Sequence, residues 1–254
     1  MKMTRKLFPA LIMLLVSAVM LSTASYAWFA SNSTVAAGDM HVKVKSDAKF
    51  LEISKTSATA EFSSGVDLTN EITAKGEIEL VHAKLTDGET APTLEWQIGE
   101  SNAIDSVGEV TETLTGITEN YALINTLWVR MSPTSTANLS NLRIKADSVT
   151  VARADEEAEA DLLEPALRVL VVAVDDENAI LGAQIWSNSD KSITTYNGTT
   201  VTGDYLVSTV TKTAVKLMVY VFYDGADASA TTANTTNLQE LVVGFSLTAG
   251  AEEG

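Results

Sequence analysis

Apolar and polar residues alternate one by one in short runs along most of this 254-residue chain. In the run from Val215 to Val221, every second residue is aliphatic. Side chains of a β-strand point alternately to its two faces, so a period of two indicates strands with one buried face. Alternating or compact apolar runs recur at ten further places: Met40–Val44, Phe50–Ser54, Ile78–Leu85, Leu94–Ile98, Leu127–Met131, Leu139–Ala146, Arg168–Val174, Ile180–Trp186, Tyr205–Val210 and Val243–Leu247.

Turn-forming residue pairs separate several of these runs. They are Asp87-Gly88, Asn197-Gly198, Gly203-Asp204 and Asp224-Gly225. Gly, Asn and Asp tolerate the backbone angles that tight turns require, so these pairs indicate short connections between strands. Short strands at this spacing predict an all-β fold, and we expect an antiparallel β-sandwich of jelly-roll type.

One segment departs from the alternation. The run Ala154–Leu163 is dominated by Ala, Glu, Asp and Leu, and Pro165 follows it closely. Residues with high helix propensity followed by a proline favour a helix that ends before the proline. We expect one short surface helix here, whose acidic face is solvated.

The length and the residue types limit the class of protein. One β-sandwich can use the whole chain, so a single domain over residues 28–254 is expected. The chain contains no cysteine, which excludes disulfides, thiolate metal sites and thiol nucleophiles. A core of this size needs no covalent cross-link to be stable.

The charge of the chain is strongly negative. It carries 17 Lys and Arg against 33 Asp and Glu, a formal net charge of −16. Lys2, Arg5 and Lys6 precede any acidic residue, so removing residues 1–27 leaves 14 basic against 33 acidic residues, or −19. Such a surface repels phosphate backbones and anionic lipids, and we expect no nucleic-acid partner.

The first 27 residues have the pattern of an export signal. The basic start is followed by the apolar run Leu7–Leu21 and by small residues. As a helix, this run spans about 22 Å, which is short of the roughly 30 Å of a hydrocarbon core. Ser25 and Ala27 suit cleavage between Ala27 and Trp28, and Ser22 and Ala24 suit the alternative cleavage before Ser25. The sequence therefore predicts a secreted protein that meets the membrane and a signal peptidase during export; an uncleaved anchor is the alternative.

Both ends of the chain resemble the TasA/camelysin group. At the N-terminal end, Ser22–Ala30 carries an aromatic cluster at the cleavage region and is followed by Ala37–Met40 and an alternating strand. At the C-terminal end, the strand Val215–Tyr223, the turn Asp224–Asp227 and the strand Leu241–Leu247 look like the last two strands of that group. The resemblance implies export with a SipW-type signal peptidase of Gram-positive bacteria.

The resemblance also implies a function. Better-known members form jelly-roll subunits of biofilm matrix fibres, and some are joined by donor-strand exchange, in which the N-terminal segment of one subunit completes the sheet of the next. A donor must be extended and lack a partner in its own domain. Residues 28–37 are the candidate segment, with donor residues Trp28, Phe29, Val35 and Ala37. The partner would be a second copy of the chain; the alternative is a first strand or tail of the same domain.

The sequence contains little that indicates catalysis. Its two histidines, His41 and His82, each lie in a predicted strand on the outward face. Camelysin has been classed as a metallopeptidase, but His-Glu-x-x-His is absent from the sequence. We therefore expect a protein that is not an enzyme and has no cofactor, with exposed histidines. A camelysin-like secreted metallopeptidase stays open as an alternative.

Acidic turns offer the remaining chemistry. Asp224 and Asp227 form a weak calcium candidate, because hard oxygen ligands on a loop suit that ion. The group Asp175–Glu177 is a second cluster. Neither has the spacing of a known calcium loop, and a solvated turn is the favoured interpretation of both.

A wall- or polysaccharide-binding module is the last alternative. Trp128 lies on the face opposite Leu127 and Val129, so its ring is the candidate platform for stacking on a sugar. Trp96 falls on the inward face of its strand by alternation and is expected in the core.

Overall fold

A computed structural model describes residues 34–36, 41–46, 50–69, 77–98, 112–114, 116–136, 138–153, 164–230 and 241–251. The strands in these ranges are β1 (Thr34–Ala36), β2 (His41–Ser46), β3 (Leu51–Ser54), β4 (Gly65–Thr69), β5 (Glu77–Glu79), β6 (His82–Asp87), β7 (Pro92–Ile98), β8 (Glu112–Leu114), β9 (Ala122–Met131), β10 (Leu139–Ile144), β11 (Thr150–Arg153), β12 (Leu167–Val174), β13 (Ile180–Ser187), β14 (Ile193–Tyr196), β15 (Val207–Val210), β16 (Val215–Tyr223) and β17 (Leu241–Ala251).

The all-β prediction is confirmed. Each of the eleven apolar runs contains a strand, and the run Ile78–Leu85 is divided between β5 and β6. In the described ranges, the one helical element is a 3-10 turn at Glu164–Ala166. The helix expected over Ala154–Leu163 lies outside the described residues.

Two six-stranded sheets enclose the main core. The first sheet has the order β15-β10-β17-β2-β4, with β11 also paired to β17, and the second has the order β14-β13-β12-β16-β9-β3. Among the described strand pairs, β17 and β2 are parallel, with Val243 opposite Val42, and the others are antiparallel. Inward residues of both sheets, among them Val44, Leu127 and Phe245, share one buried cluster. The sheets thus form a sandwich, while the jelly-roll topology stays a prediction.

A third sheet, β6-β7-β8, lies over the opposite face of the second sheet. Trp96 on β7 is 4% exposed and contacts Tyr220 and Phe222 edge to face, at centroid distances of 5.2 and 5.3 Å. These rings belong to a second buried cluster that also contains Leu170 and Val172 of β12. All eight residues of β12 are buried, because this strand is covered on both faces. The core position expected for Trp96 is confirmed.

The chain crosses between the two cores at Leu80 and Val81. Leu80 belongs to the main core and Val81 to the second. Val81 donates its N–H to the carbonyl of Tyr223 at 3.3 Å and accepts from the N–H of Gly225 at 3.2 Å. This crossing divides the run Ile78–Leu85 into two strands of different sheets, since Leu80 is buried in the main core whereas Val81 and Ala83 are buried in the second.

Candidate functional site: the paired N-terminal strand and the buried acidic turn

Strand β1 is the described part of the predicted donor segment. Its residues Thr34, Val35 and Ala36 face Glu79, Ile78 and Glu77 of β5 in an antiparallel register. This part of the segment is therefore paired within its own chain, as in the alternative of a strand of the same domain and not as in an unpaired donor. The donor candidates Trp28, Phe29 and Ala37, and the cleavage site at Ala27, lie outside the described residues.

The two strands of this small sheet are held very differently. β5 runs directly into the buried pair Leu80 and Val81, and the N–H of Glu79 donates to the carbonyl of Asn120 at 2.7 Å. β1, in contrast, pairs with β5 alone among the described strands, over three residue pairs. The acceptor strand is thus anchored in the body of the protein, whereas the strand laid against it is held by few backbone contacts.

The turn after β16 folds around its two aspartates. Asp224 accepts from the N–H of Ala226 at 3.0 Å through Oδ1, and Asp227 accepts from the N–H and hydroxyl of Ser229 at 2.9 and 2.7 Å. Aspartate commonly bonds to the backbone two residues further on, which favours this turn. The N–H of Asp224 donates to the carbonyl of Ala166 at 2.8 Å, so the turn is fixed to the start of β12.

Arg168 on β12 contacts both aspartates. Its Nε lies 3.4 Å from Asp224 Oδ2 and its Nη2 lies 2.5 Å from Asp227 Oδ2. Arg168 is 8% exposed and also donates to the carbonyl of Pro165 at 2.7 Å. The calcium candidates Asp224 and Asp227 are therefore engaged by a buried cation. The favoured interpretation of a solvated turn is wrong for Asp224, which is 9% exposed.

The bonds to Asp227 also change its acidity. Burial acts to raise the pKa of the Asp227 carboxyl, but the hydrogen bonds from Ser229 and the charge of Arg168 outweigh it, so the pKa is lowered. The carboxylate is thus the favoured form of Asp227 in the folded protein.

His82 joins the same cluster from the third sheet. Its Nδ1 lies 2.8 Å from Asp224 Oδ1, and its side chain is largely buried. The expectation of an exposed histidine is wrong for His82, because the Asp224 turn packs on its strand. His41 lies in β2, and its side chain is outside the described set. Across the described ranges, no three His, Cys, Asp or Glu side chains are grouped to hold a metal ion.

The sequence indicated the acidic half of this cluster but missed its basic partner. Arg168 stands at the start of the otherwise apolar strand β12. A single charge in a strand buried on both faces requires an opposite charge, so its position was the available signal. Trp128, the stacking candidate, lies on β9 opposite Ser54 and Lys216 and is partly buried.

Comparisons with known proteins add no relative. Neither the protein-family models, nor the curated proteins, nor the solved structures contain a match to this chain. Within the described ranges, no helix is long and apolar enough to cross a membrane. The resemblance to the TasA/camelysin group therefore rests on the motifs at the two ends of the sequence.

Proposed function

We propose that the mature chain is a secreted structural subunit of extracellular fibres, of the kind that build a biofilm matrix or a cell surface. Subunits are linked when β1 of one copy pairs with β5 of the next. The observation that carries the proposal is the weak attachment of β1, which is held by three residue pairs to β5 in a sheet separate from both six-stranded sheets.

Exchange of this strand costs little enthalpy. The same three residue pairs form whether β1 comes from the same chain or from a neighbour, so exchange of an identical element is a low-cost route to assembly. Gly38 lies between β1 and β2, and glycine accepts the backbone change that would redirect β1. Once β1 has left the β5 of its own chain, the exposed edge of β5 presents free backbone groups to the β1 of another copy.

The charge of the chain affects this assembly. Subunits with a net charge near −19 repel each other, and salt screens that repulsion over about 8 Å at physiological ionic strength. Fibres should therefore grow faster as the salt concentration rises. Repulsion between subunits also gives a reason for export as separate monomers.

Purified residues 28–254 test the proposal. We expect filaments by electron microscopy and a ladder of species on a mild denaturing gel, both increasing with salt. Val35→Pro removes a strand N–H and should leave monomers with an unchanged far-UV spectrum, while the matched variant Val35→Thr should still assemble. A protein that stays strictly monomeric at high concentration and high salt contradicts the proposal.

A further inference from the structure

A cleft of about 510 Å³ opens between the two six-stranded sheets, and none of its lining residues belongs to β1 or to the Asp224 turn. Its walls are the end of β10 with the following turn, and β13 with β14. This volume lies within the range of roughly 300–1,000 Å³ that is typical of small-ligand sites.

The cleft exists because the edge strand β15 pairs with only the first part of its neighbour β10. β15 covers β10 only as far as Leu142, where Leu206 donates its N–H to the Leu142 carbonyl at 2.7 Å. Beyond that point, the N–H of Ile144 bonds instead to Oε1 of Gln184 at 2.8 Å. A side chain of the second sheet thus replaces a missing strand, and space remains above it.

The floor of the cleft is fixed and presents an oriented hydroxyl. Gln184 is 1% exposed, and its Nε2 donates to Oγ1 of Thr195 at 2.9 Å. Because Thr195 accepts this hydrogen bond, its own hydroxyl proton is left to donate to a group in the cleft. Both ends of the Gln184 amide are used within the protein, so the floor does not have to rearrange when a ligand enters.

The rim carries two basic and two acidic side chains. Arg143 and Lys191 supply positive charge, and Asp147 and Asp204 supply negative charge. Within the part of the chain that the structure describes, Arg143, Asp147 and Asp204 make no ion pair or side-chain hydrogen bond. The cleft is thus locally neutral on a chain with nearly twice as many acidic as basic residues.

We infer that this cleft binds a neutral, hydroxyl-rich ligand, a short saccharide segment. A sugar hydroxyl both donates and accepts, so it suits a rim where a guanidinium and carboxylates stand together over a hydroxyl. An anionic polymer is disfavoured because the rest of the surface repels it. The side chain of Ile193 and the methyl group of Ala146 give the apolar faces of the sugar a surface to contact.

Titration of the mature protein, kept monomeric at low salt, tests this inference. The probes are cellobiose, maltose and N,N′-diacetylchitobiose, with digalacturonate as the anionic comparison. Binding is measured from the changes in the backbone amide chemical shifts of the protein. We expect at least one neutral disaccharide to bind with a Kd of about 1–10 mM and to shift Gln184, Ile193 and Thr195.

The exposed side chains of the rim supply variants that do not disturb folding. Arg143→Ala should weaken binding by about tenfold, as expected for the loss of a charge-assisted hydrogen bond. Asp204→Asn should weaken it less, because an amide still accepts. Lys212→Ala and Asp176→Asn, which do not line the cleft, should leave the affinity unchanged. Absence of shifts with every neutral probe, binding of digalacturonate alone, or equal affinity in Arg143→Ala would overturn the inference.

Discussion

His82 and Asp224 are 142 residues apart in the sequence and are joined by a 2.8 Å hydrogen bond between Nδ1 and Oδ1. The bond connects β6 of the third sheet to the end of β16 in the second sheet. Arg168 reaches the same carboxylate from β12, so the three elements meet at one buried charged cluster. The turn that contains Asp224 also holds Val81, two residues after the end of β5, through the N–H of Gly225.

Loss of Arg168 should be strongly destabilising. Arg168→Met keeps most of the side-chain volume but leaves Asp224 and Asp227 buried without a cation, and we expect a loss of about 3–5 kcal/mol in the free energy of unfolding. The matched control is Arg130→Met, which breaks the more exposed pair with Glu52 at 3.1 Å and should cost about 1 kcal/mol or less. Urea unfolding of both variants gives the comparison; equal losses would mean that the Arg168 cluster contributes no more than a surface pair.

The stability of the protein should fall in acid partly through Asp227. Its pKa is lowered in the folded state, so its contribution is fully present above the unfolded value of about 3.9 and is lost as the pH falls through the folded value. We expect Asp227→Asn to be less stable than the wild type at neutral pH and to lose less stability on acidification. The free energy of unfolding from pH 6 to pH 2 measures this; parallel curves for the two proteins would show that Asp227 does not couple to pH.

Adjacent residues of β12 should be equally sensitive to truncation. Val171 faces the main core and Val172 the second core, and they are 0% and 2% exposed. Each Val→Ala change removes two methyl groups and should cost about 1–3 kcal/mol. In a two-layer sandwich, Val172 would face solvent and Val172→Ala would be nearly neutral. A nearly unchanged free energy of unfolding for Val172→Ala in urea would contradict the packing of the third sheet over this face of β12.

Sequence periodicity predicted most strands but not their partners. The alternation of Leu217 and Val219 located β16 well, because the side chains of a strand alternate between its faces whatever the strand pairs with. The strands β1 and β8 are three residues long, which is too short to show a period. The continuous apolar run of β12 is compatible with burial on both faces. The sequence alone does not show which element covers its second face, so it did not predict the third sheet.

The candidate site was less predictable than the fold. Asp227 and Arg168 are 59 residues apart, and nothing local in either segment encodes their contact. Alternation placed His82 on the face away from the apolar residues of β6, but it gave no indication that the Asp224 turn covers that face.

Gly198 should be required for the attachment of the hairpin formed by β6 and β7. It has a φ of +93°, and a Cβ atom there would lie 2.9 Å from the carbonyl carbon of Thr90. Its N–H donates to Asp87 Oδ1 at 3.1 Å. Gly198→Ala should cost about 1–3 kcal/mol, whereas Gly116→Ala, where a Cβ meets nothing within 4 Å, should change the stability little. Equal thermal unfolding of the two variants would show that this close approach does not occur.

Cysteine pairing measures strand exchange most directly, because the chain has no cysteine of its own. Val35 and Ile78 are opposite each other, and facing Cα atoms of antiparallel strands lie about 4.5–5.5 Å apart, within disulfide range. Val35→Cys protein and Ile78→Cys protein are made separately, mixed under assembly conditions and oxidised. The proposal predicts a cross-link between the two proteins, and a ladder from the double variant on a non-reducing gel. No cross-link in the mixture, with the double variant closing only within single molecules at every concentration, would contradict it.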